Sequence, residues 1–300
     1  MNTKSYELVT ERLIELLENG VAPWKRNFKI DRLRAPANFS TKNPYNGINS
    51  VLLDATAYFK GYKSSYWLTW KQAEKLGGEV IKSERKNWTP VTYFSFLMKD
   101  KNGKKTLDEK QAVEKIPFFR HSVAYNLDQI EGIEDPTKVI DEPLNDNIEP
   151  IEAAQKIIDN MPNKPAISID NNKLSPRGNP CYVPSQDEVR MPEMNRFKDA
   201  ENFYSVFFHE LIHSTGHKSR LDRKGVGKGS SFGDEVYSKE ELIAEMGAAF
   251  LCNEARIDNS DIIENSAAYL QSWIKALKGD CKLAVQAASA AQKASEYILG

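Results

Sequence analysis

The sequence has only three cysteines, Cys181, Cys252 and Cys281, odd in number and far apart. No C-x-x-C pair occurs, which excludes a disulfide framework and a cysteine-based zinc site. It also suggests a reducing compartment, the cytoplasm. No apolar run approaches the roughly 18 residues of a membrane-spanning helix, so no membrane partner is expected. The first residues, Met1 to Glu7, lead into an amphipathic helix and not a signal peptide. No internal repeat is present, so a stacked-repeat architecture is not expected. Histidine is scarce as well, with four among 300 residues, yet His209, His213 and His217 fall within nine positions.

Net charge is also nearly absent, at −1, but the balance is uneven along the chain. Residues 1–125 carry 22 Lys and Arg against 13 Asp and Glu, and the remainder carries 19 against 29. The same first stretch holds 18 of the 30 aromatic residues. Rings interleaved with cations suit single-stranded nucleic acid, because bases stack on the rings while cations track the phosphates. Tyr45 beside Lys42 and Asn43, Trp67 and Trp70 beside Lys71 and Gln72, and Trp88 beside Arg85 and Lys86 fit that pattern. A core built from the same rings is the competing explanation for each aromatic taken singly.

Hydrophobic spacing predicts a mixed α+β chain of two domains. In the first, Tyr6, Val9, Leu13, Leu16 and Leu17 mark a helix over 4–19, and a second helix covers 50–59. The stretch from Tyr66 to Ala73 opens a further helix, with Thr69 as its cap. Residues 91–98 read as a strand, and 118–126 as its partner. An acidic, proline-punctuated connector covers about 128–150, so we place the boundary near 145, giving domains of 1–145 and 146–300. The second domain opens with a helix over 151–160 and short strands at 166–169, 181–184 and 188–191. Helices follow over 199–215, over 238–254 with Ser238 and Glu241 as a capping box, and in an alanine-rich tail broken at Gly279. A glycine-rich loop spans 224–231.

The chemistry concentrates in Phe207-Phe208-His209-Glu210-Leu211-Ile212-His213. Residues four apart on a helix share a face, so His209 and His213 can grip one ion together. Zinc suits two imidazoles and a carboxylate, with one position left to water, and manganese is the alternative ion. Glu210 then stands ready as general base. The longer pattern H-E-x-x-H-x-x-G-x-x-H fails, because Gly216 is in place but Ser219 stands where the last histidine belongs. The third ligand is instead expected from Glu240-Glu241-Leu242-Ile243-Ala244-Glu245, where Glu241 and Glu245 lie four apart. Glu241 is the first choice and Glu245 the alternate, the other carboxylate then serving to orient a ligand histidine.

Several stretches together resemble the ArdC-type antirestriction proteins of conjugative plasmids and related mobile elements. They are Asn43-Pro44-Tyr45-Asn46-Gly47-Ile48-Asn49, Trp67-Leu68-Thr69-Trp70-Lys71-Gln72-Ala73 and Tyr125 to Gly132, then Pro184 to Pro192, His209 to Leu221, and Tyr237 to Glu245. The first half is also similar to a region of plasmid TraC-type primases. The resemblance implies an N-terminal single-stranded-DNA-binding domain, and we take Lys42, Asn43, Tyr45, Asn49, Trp67, Lys71, Gln72, Arg85, Lys86 and Trp88 as its candidate contacts. It implies a zincin-like metallopeptidase domain behind it, with the metal motif on His209, Glu210 and His213 and a carboxylate from the 241–245 segment. The implied role is protection of incoming DNA from host restriction, with the restriction enzyme or another host protein as a partner. An active protease that cleaves a host protein is the alternative. In place of the family's basic Gly-Glu-Lys-like turn, this chain has Ser83-Glu84-Arg85-Lys86-Asn87-Trp88.

Overall fold

The computed structural model of the chain describes residues 3–24, 35–99, 101–102, 104–106, 113–136, 150–175, 179–223, 226, 235–257 and 267–300. The expected domain boundary near 145, most of the acidic connector's second half and nearly all of the glycine-rich loop lie outside these residues.

The fold is mixed α and β. Helix α1 (Lys4–Glu18) buries Val9, Leu13, Leu16 and Leu17, the stripe its spacing predicts. Strand β1 (Ala37–Asn38) precedes α2 (Ile48–Lys60), which is followed by β2 (Tyr66–Leu68) and the short α3 (Trp70–Lys75). Tyr66 to Leu68 are thus strand and not the opening of a helix. Thr69 ends the strand in extended backbone and caps α3, with its hydroxyl and the Gln72 side chain forming a capping box. Strand β3 (Glu79–Val80) leads to the long β4 (Thr89–Lys99), then β5 (Lys105–Thr106), β6 (Glu114–Asn126) and β7 (Ile130–Glu131). β4 and β6 pair antiparallel along their length, from Thr89 opposite Ala124 to Lys99 opposite Glu114. Among the described residues the sheet order is β1-β2-β6-β4-β5, with β3 and β7 paired separately.

The second half runs through α4 (Pro150–Asn160), β8 (Ala166–Ile169), β9 (Cys181–Val183), β10 (Glu188–Met191), α5 (Ala200–Thr215), α6 (Glu235–Ala255), α7 (Ala267–Gly279) and α8 (Leu283–Leu299). Helix α6 starts at Glu235, so Ser238 lies inside it and is not its cap. β10 is central in a small sheet, parallel to β8 and antiparallel to β9, which leaves β9 at the edge.

One core joins the two halves. Val9, Leu13 and Leu17 of α1, Trp24, and Val51 and Leu52 of α2 belong to the same buried cluster as Phe208 of α5, Leu242 of α6 and the alanines of α8. The Trp24 and Trp273 rings meet edge to face at 5.4 Å, Thr10 donates to the carbonyl of Cys281, and the N–H of Gly47 donates to Gln292. The alanine-rich face of α8 allows this close approach, because small side chains bring helix backbones together.

Candidate metal centre and nucleic-acid surface

Helix α5 is apolar on nearly all sides, with Phe203, Tyr204, Phe207, Phe208, Leu211 and Ile212 all buried, as suits a helix enclosed by other elements. Asp199 caps it, accepting from the N–H of Asn202 at 2.8 Å. Helix α6 lies directly against it. Gly247 marks the contact, since a Cβ there would come within 2.6 Å of Ile212 Cδ1. That approach brings the carboxylates of α6 to the imidazoles of α5.

His209, His213 and Glu241 converge, each offering one ligand atom within 4.8 Å of the others. The two Nε2 atoms are 3.1 Å apart. Glu241 lies 3.6 Å from His209 Nε2 and 3.5 Å from His213 Nε2. Two ligands on a tetrahedral zinc at about 2.0–2.1 Å stand about 3.3–3.4 Å apart, so these separations fit one divalent ion. Glu245, the alternate ligand, is outside the group, though its charge is felt at His209. His217 is turned away, with its Nδ1 2.8 Å from Ser219 Oγ.

Glu210 is 9% exposed, and one of its oxygens accepts the N–H of Tyr182 at 2.8 Å. The edge strand β9 therefore aims the proposed base. The hairpin carrying β9 is itself pinned. Arg220, with its side chain fully buried, pairs with Asp187 in the β9–β10 turn and donates to the carbonyl of Ser214 in α5. Tyr182 completes the set by donating its hydroxyl to Asp187 at 2.8 Å. A further carboxylate, Glu240, is paired with Arg223 and lies 3.5 Å from His213 Nδ1. The sequence had marked Glu240 only as a neighbour of Glu241, and it carried no signal for the Tyr182 N–H, which is a backbone group.

Burial opposes a charge on His209, but Glu241, Glu210 and Glu245 together outweigh it and raise its pKa to about 9. A protonated ring has no lone pair for a metal, so metal and proton compete for His209 below that pH. Displacing one proton makes apparent metal affinity rise about tenfold per pH unit as pH increases toward 9. Titration with Zn2+ or Mn2+ between pH 6 and 8 measures this, and an affinity flat with pH would contradict it.

The candidate DNA contacts separate into two groups. Trp67 is fully buried, packed with Leu53, Ala57, Val91 and Ala124, which corrects its assignment as a stacking surface. Asn49 spends its amide on Thr92, accepting from its N–H at 2.7 Å and donating to its carbonyl at 2.8 Å. Gln72 accepts from the Thr69 N–H at 2.9 Å as part of the α3 cap. These two hold elements together. Tyr45 is half-buried with its hydroxyl 3.1 Å from Asn38 Nδ2, and burial pushes its phenol pKa up. Trp88 is half-buried, packed against the cluster that contains Leu68 and Val80.

Lys42, Asn43, Lys71, Arg85 and Lys86 are exposed. The Lys42 ammonium sits 3.5 Å from the Phe39 ring centroid, and the Arg85 guanidinium 5.0 Å from that of Trp70, while Arg85 also pairs with Glu79 at 2.9 Å. Among the described residues the most exposed rings are ones the sequence had assigned only to a strand: Tyr93, Phe94 and Phe96 of β4, at 46%, 65% and 56% exposure. Arg120 of β6, also exposed, stands opposite Tyr93. Among the described residues no helix is long and apolar enough to cross a membrane.

Comparison with known proteins matches residues 163–290 to the zincin-like metallopeptidase family and residues 3–125 to the N-terminal domain of anti-restriction factor ArdC. Two DNA primases TraC from Escherichia coli are 33% and 32% identical over 98% of this chain. The chain spans only 20% and 27% of their lengths. An uncharacterized protein, y4eC of Sinorhizobium fredii, is 29% identical over 99% of this chain and 92% of its own. Among solved structures, the metal-free antirestriction protein ArdC from the R388 plasmid superposes with a TM-score of 0.71 at 34% identity, covering 98% of this chain and 96% of that one. Its Mn(II)-bound form gives 0.69 with the same coverage. The donor set and this relative together suggest a divalent metal.

Proposed function

The chain belongs to the ArdC family of antirestriction proteins, and from that membership we propose that it shields incoming DNA of a mobile element from host restriction by binding single-stranded DNA. We place the DNA on residues 1–145 and a divalent ion, zinc before manganese, on residues 146–300 at His209, His213 and Glu241. The observation that carries the metal half is the convergence of three ligand atoms beside a buried, strand-held Glu210. A divalent ion bound there would supply Lewis acidity, polarising a carbonyl and making water easier to deprotonate. Glu210, with one oxygen held by the Tyr182 N–H, would be the group to take that proton.

The DNA half is supported by the basic balance of the first 125 residues and by exposed cations set beside rings. Lys42, Lys71, Arg85 and Lys86 would track phosphates, and Phe94, Phe96 and Tyr93 offer faces on which bases could stack. Binding to a fluorescent single strand is expected to weaken with salt, with a log–log slope of about −0.7 per phosphate contacted. Phe94→Ala is expected to weaken it about thirtyfold, near the middle of the range for one stacked base. An affinity indifferent to salt would remove the phosphate contacts. In cells, transfer of unmodified DNA into a restricting host, compared for wild type, His209→Ala and Lys42→Ala/Lys71→Ala, tests whether protection needs the metal, the DNA surface or both. Protection that survives both changes would defeat the proposal.

A further inference from the structure

We infer that Glu240, clamped by Arg223, is the positioning residue that sets the His213 ring for metal binding; this rests on the metal reading proposed above. The two nitrogens of His213 face different carboxylates. Nε2 lies toward His209 Nε2 and Glu241, at 3.1 and 3.5 Å. Nδ1 lies 3.5 Å from Glu240 Oε1. An imidazole that gives its Nδ1–H to a carboxylate keeps the lone pair on Nε2, the atom the candidate site needs. Successive residues of one helix thus do different work. Their side chains diverge by about 100° around α6, so Glu241 reaches one edge of the ring and Glu240 the other.

Glu240 cannot swing freely, because its side chain is 10% exposed and both its oxygens are held by Arg223, at 2.5 Å to Nη2 and 3.2 Å to Nε. A fork of this kind fixes direction as well as charge. Arg223 is anchored in turn on α5, the helix that carries His213. It donates to the carbonyl of Ile212 at 2.8 Å and to Thr215 Oγ1 at 2.5 Å. Gly216 lies close under this contact, since a Cβ there would clash with Val226 Cγ2 and stand 3.1 Å from Arg223 Nη2. The clamp therefore closes a ring from α5 through Arg223 and Glu240 back to α5. For His213 that orienting role falls to Glu240, the residue beside Glu241.

The test titrates Zn2+, and separately Mn2+, into the full chain by chelator competition and reads the His213 tautomer from 15N-edited histidine spectra. Glu240→Ala is expected to weaken each ion about 10–100-fold, the usual cost of losing an outer carboxylate. It is also expected to move His213 away from the Nδ1–H form, which a merely structural role would not do. Glu240→Gln keeps the volume and one acceptor but loses the charge. It is expected to keep the tautomer while still losing about tenfold in affinity, and it carries the test if the alanine variant fails to fold. Affinity within about twofold of wild type in the folded variants, with the tautomer unchanged, overturns the inference. Wild type that takes up neither ion sinks the metal reading itself. Wild type that binds, with Glu240→Ala and Glu240→Gln binding as tightly, sinks only the role of Glu240.

Discussion

Glu210→Gln is expected to lower hydrolysis by about 10²–10⁴-fold, the ordinary contribution of a general base, while metal uptake stays intact. The proposed ligands are His209, His213 and Glu241, and none is touched by the change. Glutamine has the same length and keeps an oxygen that can accept the Tyr182 N–H, which now holds Glu210 Oε2 at 2.8 Å. The amide nitrogen then stands where the second carboxylate oxygen was, and it cannot take a proton. Because Glu210 is buried to 9% exposure, no other solvent-borne group replaces it easily. The measurement pairs hydrolysis of a quenched fluorescent casein, in the presence of Zn2+ or Mn2+, with metal content by mass spectrometry. A variant as active as wild type would remove Glu210 from the base role. Wild type inert with either ion would mean that the centre does not cut this protein substrate, and would shift weight to the DNA half of the function.

Trp67→Ala is expected to cost about 3–5 kcal/mol of folding stability, the range for deleting a buried indole. The ring has no exposed surface and meets Tyr62 edge to face at 6.2 Å. Its neighbour Leu68 points to the opposite side of β2 and is equally buried, in a different cluster. The strand is therefore covered on both faces and cannot present either residue to a nucleic acid. Urea unfolding of the variant measures the loss, and single-strand affinity of the folded protein is expected to stay near wild type. Undiminished stability together with lost DNA binding would restore Trp67 to the binding surface.

The error over Trp67 has a simple origin. A tryptophan near Lys71 and Gln72 looks the same in the sequence whether its ring faces a core or a solvent. Sequence spacing places residues along an element, but which face of a three-residue strand is covered depends on what packs there from elsewhere. The same reason hid Phe94 and Phe96. They sit in a run of β-branched and aromatic residues that reads correctly as a strand, and only pairing with β6 shows that the ribbon carries their rings outward. Local rules worked where the cause was local. Thr69 caps α3 because its own hydroxyl reaches the N–H of Gln72, and α1 buries the stripe that a 3.6-residue repeat dictates.

By itself the sequence determined the pair His209 and His213 with Glu210 between them, because a helix brings residues four apart to one face without help from any other element. It also determined the mixed α+β character, the family resemblance and the uneven charge of the two halves. That Glu241 and not Glu245 joins the two histidines in one group, that Glu240 lies between Arg223 and His213, and that α1, α2 and α8 share a core were decided only by the tertiary structure. Glu241 stands 28 residues beyond His213 on a separate helix. Which of its carboxylates meets the imidazoles is set by the rotation and close approach of α6 on α5, through contacts such as Gly247 against Ile212. No repeat or spacing within either helix encodes that rotation, since it is a property of how two surfaces fit.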